Sequence, residues 1–246
     1  MKRIKLLPLM AAGFLALTAG AAQASQFTYT TAGGSAVFTT SANTLSISLT
    51  DTYVNPVSVI QNISGLEFLI SPNAGATLTS DIGDLRTVNA NGTYTDGATD
   101  QSLGWTLSVN GSYLLLDGLG SATYTPARTI IGQPDASNLY SAAQGSIAGN
   151  GPHNPFTFSN AMFVLSIPGI DASTAITGAL IQFGTTQGNF IEGDCTSGCG
   201  TGTPGTGSPG LGRDVPPVPE PTSLLLLGSG LLGAATAVRN RRKKKA

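Results

Sequence analysis

The sequence predicts an all-β protein, an antiparallel β-sandwich of the jelly-roll or immunoglobulin-like kind. Three observations carry that expectation. Short runs from Gln26 to about Phe190 alternate branched or apolar residues with Ser and Thr, the period of a half-buried strand. Turn signals recur between the runs, at Asn73-Ala74-Gly75, Asn91-Gly92, Asp96-Gly97, Asn110-Gly111 and Asp117-Gly118. Between the two termini, no window keeps a helical period beyond about three turns. With both ends set aside, roughly 190 residues remain, enough for one core and one domain.

Residues 1–24 read as a secretory signal peptide with a helical apolar stretch. Lys2, Arg3 and Lys5 form the charged start, and Leu6 to Ala19 the apolar region, broken by Pro8 and Gly13. Ala22-Gln23-Ala24 offers the small-x-small cleavage site, with Ala22 and Ala24 as its small residues, so the mature chain would begin at Ser25.

Residues 25–192 form the predicted sandwich. FTYTT, AVFTT and TLSISLT alternate cleanly; GLEFLIS, SLGWTLSVN, SYLLLD, MFVLSIP and AITGALIQFG follow with more apolar faces. Val109-Asn110-Gly111-Ser112 is the best hairpin signal, because Asn-Gly accepts the positive φ of a type I′ turn. From Ala127 to Pro155 the alternation fades and Pro134, Gly149, Gly151, Pro152 and Pro155 accumulate. A long loop across one end is expected there, with one helical turn around Leu139 and Tyr140. Residues 193–218 shift to Gly, Thr, Ser and Pro, the composition of a disordered linker. The stretch from Gly200 to Val218 would span ~24 Å end to end as a flexible coil.

Residues 219–246 hold three blocks in order. Pro219-Glu220-Pro221 keeps the chain extended. The uncharged run at 222–238 is a transmembrane helix of ~25 Å, just under a ~30 Å hydrocarbon core. The tail at 239–245 supplies a cytoplasmic stop-transfer cluster in Arg239, Arg241, Arg242, Lys243, Lys244 and Lys245. A plain tail anchor accounts for the hydropathy alone. The three blocks together resemble the PEP-CTERM sorting signal of Gram-negative bacteria, departing only in mixing lysines with arginines. That resemblance covers about an eighth of the chain. It implies processing by exosortase, a membrane protease, after residence in the inner membrane. The implied destination is the cell envelope, the cell surface or the exterior, in bacteria that make exopolysaccharide. It implies no activity for the body.

Charge and side-chain chemistry narrow the classes further. Between the two cationic ends lie only Arg86, Arg128 and Arg213, against all 13 acidic residues. Such a surface repels nucleic acid. The absence of lysine from the body removes a Walker loop and a Schiff base. His153, the one histidine, sits in a Pro-rich segment, and no Gly-x-Ser-x-Gly elbow occurs. Cys195 and Cys199 are the only cysteines, and an exported pair invites a disulfide. Closing it requires a turn, which Gly198 permits; a metal site lacks further soft ligands, and the C-x3-C spacing disfavours a redox motif. No cofactor is expected. Ca²⁺ is the one ion that the loose acids Asp81, Asp84, Asp96, Asp100, Glu192 and Asp194 suggest.

These features predict an exported, non-enzymatic surface or extracellular-matrix protein, structural or associated with exopolysaccharide. A carbohydrate-binding module is the first alternative and requires exposed aromatics, drawn from Tyr29, Tyr53, Tyr94, Trp105, Tyr113, Tyr124 and Tyr140. A carbohydrate-active enzyme is the second, and Glu67 and Glu192 are the only glutamates of the body available to it.

Overall fold

The computed structural model describes residues 24–120, 128–148 and 154–199. These residues form strands and loops: β1 (Ser25–Thr30), β2 (Gly34–Ser41), β3 (Thr44–Asp51), β4 (Ile63–Ile70), β5 (Thr77–Val88), β6 (Tyr94–Asp96) and β7 (Gln101–Ser102) come first. There follow β8 (Thr106–Asn110), β9 (Tyr113–Asp117), β10 (Ile130–Ile131), β11 (Phe156–Ser166), β12 (Ile176–Phe183), β13 (Phe190–Glu192) and β14 (Asp194–Ser197). A single 3₁₀ turn, Val59–Gln61, precedes β4. The all-β expectation therefore holds.

Hydrogen bonding joins the strands into one mixed sheet ordered β13-β12-β4-β10-β11-β3-β2-β1-β14. Beside that path, β9 joins β4 to β8, and β5 joins β11 to β6 and β7. The sheet turns back on itself at β10, where Ile130 pairs with Ile63 of β4 on one side and with Thr157 of β11 on the other. Two leaves result, and their inner faces share one apolar core. Phe38 of β2 meets Phe68 of β4 with ring centroids 5.2 Å apart, and Trp105 meets Phe163 of β11 at 5.0 Å. The β2 and β3 burial patterns alternate strictly, so one face of each strand supplies the core and the Ser/Thr face does not. Past β13, Gly193 carries the chain from β12 across to β1, and β14 extends that leaf.

Four details differ from the expectation. The sheet is not purely antiparallel, because β10 runs parallel to β11. The strand β5 is absent from the predicted runs, since Asp81, Asp84 and Arg86 interrupt its apolar signal. In the β8–β9 hairpin the two-residue loop is Gly111-Ser112, and positive φ falls on Gly111 alone (62°), the type II′ pattern rather than type I′. Finally, β14 lies inside the expected linker, so pairing with β1 carries the folded body past residue 192.

The segment 128–148 does cross one end of the sheet, but it is packed. Tyr140, Ala143 and Ile147 bury against Val59, Val88, Ile131 and Phe156 in a second small core. No helical turn forms at 135–143. Instead the Asp135 carboxylate accepts the N–H groups of Ser137 and Leu139, and Asn138 takes the left-handed conformation, at φ 58°. The expected signal and transmembrane helices lie outside the described residues, among which no helix is long and apolar enough to cross a membrane.

Candidate functional site

The strand registers give the body two distinct ends. Ser25 pairs with Thr40, while Gly34 pairs with Asp51, so the start of β1 and the end of β3 lie at opposite ends of their leaf. β14 runs antiparallel to β1, with Thr30 opposite Asp194 and Thr28 opposite Ser197. Both exits from the body are therefore neighbours. Ala24 is the first described residue, and β1 begins at Ser25, the residue after the expected signal cleavage.

The exit after β14 is tightly seated. Gly198 has φ 81°, and a Cβ there would strike the Gln26 carbonyl, so the position requires glycine on both counts. That turn brings Cys195 and Cys199 to a Cα separation of 6.3 Å, with their sulfurs joined. Free-thiol labelling of the unreduced exported protein should find no reactive thiol; two per chain would contradict the pairing. Reduction should move the melting temperature little, because the closed loop is short. Ala22, Pro219, Glu220, Pro221 and the basic residues Arg239, Arg241, Arg242, Lys243, Lys244 and Lys245 lie outside the described residues, as does His153.

The opposite end carries the unusual chemistry. Arg86 of β5 has a side chain only 4% exposed, paired across the ladder with Asp96 of β6, which is 61% exposed. Its Nε donates to Asp96 Oδ1 at 2.6 Å and its Nη2 to Oδ2 at 3.0 Å. The guanidinium lies between two aromatic faces, 3.7 Å from the Tyr94 centroid and 3.3 Å from that of Phe158. Its Nη1 also reaches the Tyr140 hydroxyl at 3.5 Å, and that hydroxyl donates to the Gly132 carbonyl at 2.9 Å. Burial acts to lower the Arg86 pKa, but the hydrogen bonds and charge of Asp96 and Tyr140 outweigh it and leave the value raised. Burial likewise raises the Tyr140 phenol, against the pull of Arg86.

Asp51 ends β3 at the same end of the sheet and is buried. Its Oδ1 accepts the Tyr53 N–H at 2.9 Å, while Oδ2 has no hydrogen-bond partner among the described residues. Desolvation drives its pKa up to about 8, against the backbone N–H groups of Tyr53, Ile63 and Gly132 that face it.

The sequence signals for other chemistry are dispersed. Asp81 binds the Ser102 hydroxyl and the Trp105 N–H, and Asp84 the Asp100 N–H, so these acids fasten the segment after β6 to β5. Glu192 and Asp194 are exposed on β13 and β14. Among the described residues, no group of three or more His, Cys, Asp or Glu is gathered to hold a metal ion. Glu67 is buried on β4, and both it and Glu192 pair with Leu180, which stands between them in one row of the sheet. No described aromatic is fully exposed: Tyr29, Trp105 and Tyr140 are buried, and Tyr53, Tyr94 and Tyr113 are half-buried.

Neither Arg86 nor Asp51 is marked by a motif. The available signal for Arg86 was its phase, since Arg86 and Val88 share the buried side of an alternating run that faces Tyr94 and Asp96 across the Asn91-Gly92 turn.

No curated protein and no solved structure matches the chain. Residues 217–243 match a family model described as the PEP-CTERM protein-sorting motif, so the chain carries a C-terminal sorting signal of the kind that exosortase processes.

Proposed function

We propose that the chain is a non-enzymatic component of the cell surface or extracellular matrix, delivered by its C-terminal signal and working beside exopolysaccharide. The match at residues 217–243 carries this reading, because it marks an exported protein sorted through its C-terminus. The start of β1 immediately after Ala24 supports it, since removal of residues 1–24 leaves every described strand whole. In this reading the body is a β-sandwich of jelly-roll or immunoglobulin-like type. A Glu67 buried in the sheet with Leu180 between it and the exposed Glu192, and aromatics that are buried or half-buried, favour a structural role over a glycosidase cleft or a stacking sugar site.

Processing is the test. In an exosortase-bearing host, the mature parent protein should lack residues 239–245. Glu220→Ala and Pro219→Ala should leave signal-peptide removal intact but retain an uncut, membrane-bound precursor. A plain tail anchor would leave parent and variants fractionating alike, every chain keeping Arg239 to Lys245. Mass spectrometry of the C-terminal peptide separates the two, and an intact tail on mature parent protein overturns the sorting reading.

A further inference from the structure

We infer that the first strand of the body closes the cleavage site in front of it. The Ala24–Ser25 bond is open to hydrolysis only until β1 docks, so removal of residues 1–24 precedes completion of the fold. The inference rests on the reading of residues 1–24 as a removable export signal, and adds an order of events to it. No spacer lies between that bond and the sheet. β1 begins at Ser25, and Ser25 and Gln26 already pair with Thr40 and Thr39 of β2. The Ser25 carbonyl also accepts the Thr40 hydroxyl at 3.4 Å.

The other edge of the strand is occupied as well. A Cβ on Gly198 would strike the Gln26 carbonyl and crowd the Phe27 Cα, so the Cys195–Cys199 loop seats directly on the backbone at these two residues. Farther along, β14 pairs with Thr28, Tyr29 and Thr30. The strand is anchored from below at its third residue. Phe27 and Tyr29 are 6% and 2% exposed in the main core, and the Tyr29 hydroxyl donates to the Ile176 carbonyl at 2.8 Å. Fraying beyond Gln26 therefore draws Phe27 into water and parts β1 from both neighbours.

An endoprotease takes its substrate as an extended segment and pairs with the backbone around the bond it cuts. Water then adds across the amide, leaving a carboxylate on Ala24 and an amino group on Ser25. The backbone groups of Ser25 and Gln26 cannot serve β2 and an enzyme at once. A docked β1 thus withholds the residues that follow the bond, and it holds the body against the mouth of the enzyme. The other exit is built differently. Residues 200–218 separate Cys199 from Pro219, so a cut at the sorting motif needs no strand to open. The N-terminal cut belongs before folding, and the C-terminal cut is compatible with a finished body.

The test uses the full-length precursor and purified bacterial signal peptidase in neutral detergent. Enzyme present during cell-free synthesis should cut the parent, and mass spectrometry should find a mature chain beginning at Ser25. Enzyme added after folding should cut it at least about tenfold more slowly, because the fraction of chains with an open strand end then sets the rate. A precursor carrying about ten flexible Ser and Gly residues between Ala24 and Ser25, Ser first, should be cut equally well at both times. A folded parent cut as fast as the spacer variant overturns the inference, and so does a spacer variant that resists the late enzyme. Failure of both precursors even during synthesis has a different meaning: residues 1–24 are then not a removable signal, and the reading beneath the inference falls with it.

Discussion

Replacing Asp96 by Ala should lower the unfolding free energy by about 3–5 kcal/mol, although Asp96 itself is mostly in water. The reason lies in its partner. Arg86 is buried, permanently charged and held by one carboxylate, one phenol and two aromatic faces. Without Asp96, its Nε and Nη2 lose their acceptor while the cation stays inside, and an uncompensated buried charge is the costly case. Arg86→Met removes the charge and much of the desolvation cost with it, leaves Asp96 free to hydrate, and keeps apolar volume between Tyr94 and Phe158. It should therefore cost less than Asp96→Ala. Arg86→Lys should behave more like Asp96→Ala, because an ammonium cannot stack flat between two rings or form the two-pronged bond. For a body of this length, 3 kcal/mol corresponds to a melting shift of roughly 10 °C. The order of the variants in chemical denaturation is the check. An Asp96→Ala protein more stable than Arg86→Met would show that the carboxylate is a surface partner of little consequence.

Asp51 should make the folded body less stable as pH rises. Its folded pKa, about 8, lies above the ordinary 3.8, so folding takes up a proton between those values. The contribution is greatest below pH 3.8, is lost progressively as pH climbs, and levels off once the folded carboxyl also ionises near pH 8. The slope is about 1.4 kcal/mol per pH unit within that window. Asp51→Asn keeps an oxygen for the Tyr53 N–H and removes the titration. The stability of the variant relative to the parent should therefore grow steadily from about pH 5 to about pH 7. Unfolding by urea at several pH values measures that difference, in which the other carboxylates cancel. A difference that does not change with pH would mean that Asp51 is ionised and solvated in the folded protein.

Both predictions arise at the loop end of the sheet, and that end was the least legible part of the sequence. Its strands could be read because Ala36, Phe38, Leu45, Ile47 and Leu49 recur at period two, and alternation is a property of neighbours along the chain. The turn at Gly111 could be placed for the same reason, though its type depended on a register that the two strands settle together. The sorting signal was fully legible, because its three blocks act as linear chemistry at residues 217–243 and need no partner from elsewhere.

What the sequence could not reveal is whatever depends on residues far apart. Arg86 looks like one more polar residue in an interrupted run until β11 brings Phe158 over it and the 128–148 segment brings Tyr140. Asp51 reads as the polar end of a strand, and only the convergence of β10 and β4 removes it from water. The segment around Leu139 and Tyr140 has too few apolar residues to declare itself a core, yet Val59, Val88 and Phe156 complete one around it. The reach of β14 beyond residue 192 follows the same logic, since a short polar strand forms only where β1 presents an edge to pair with. Local period and a linear motif thus determined the β class and the C-terminal sorting signal. Tertiary structure decided which charges are buried and which apolar residues stay exposed, because burial belongs to the surroundings of a side chain and not to its place in the chain.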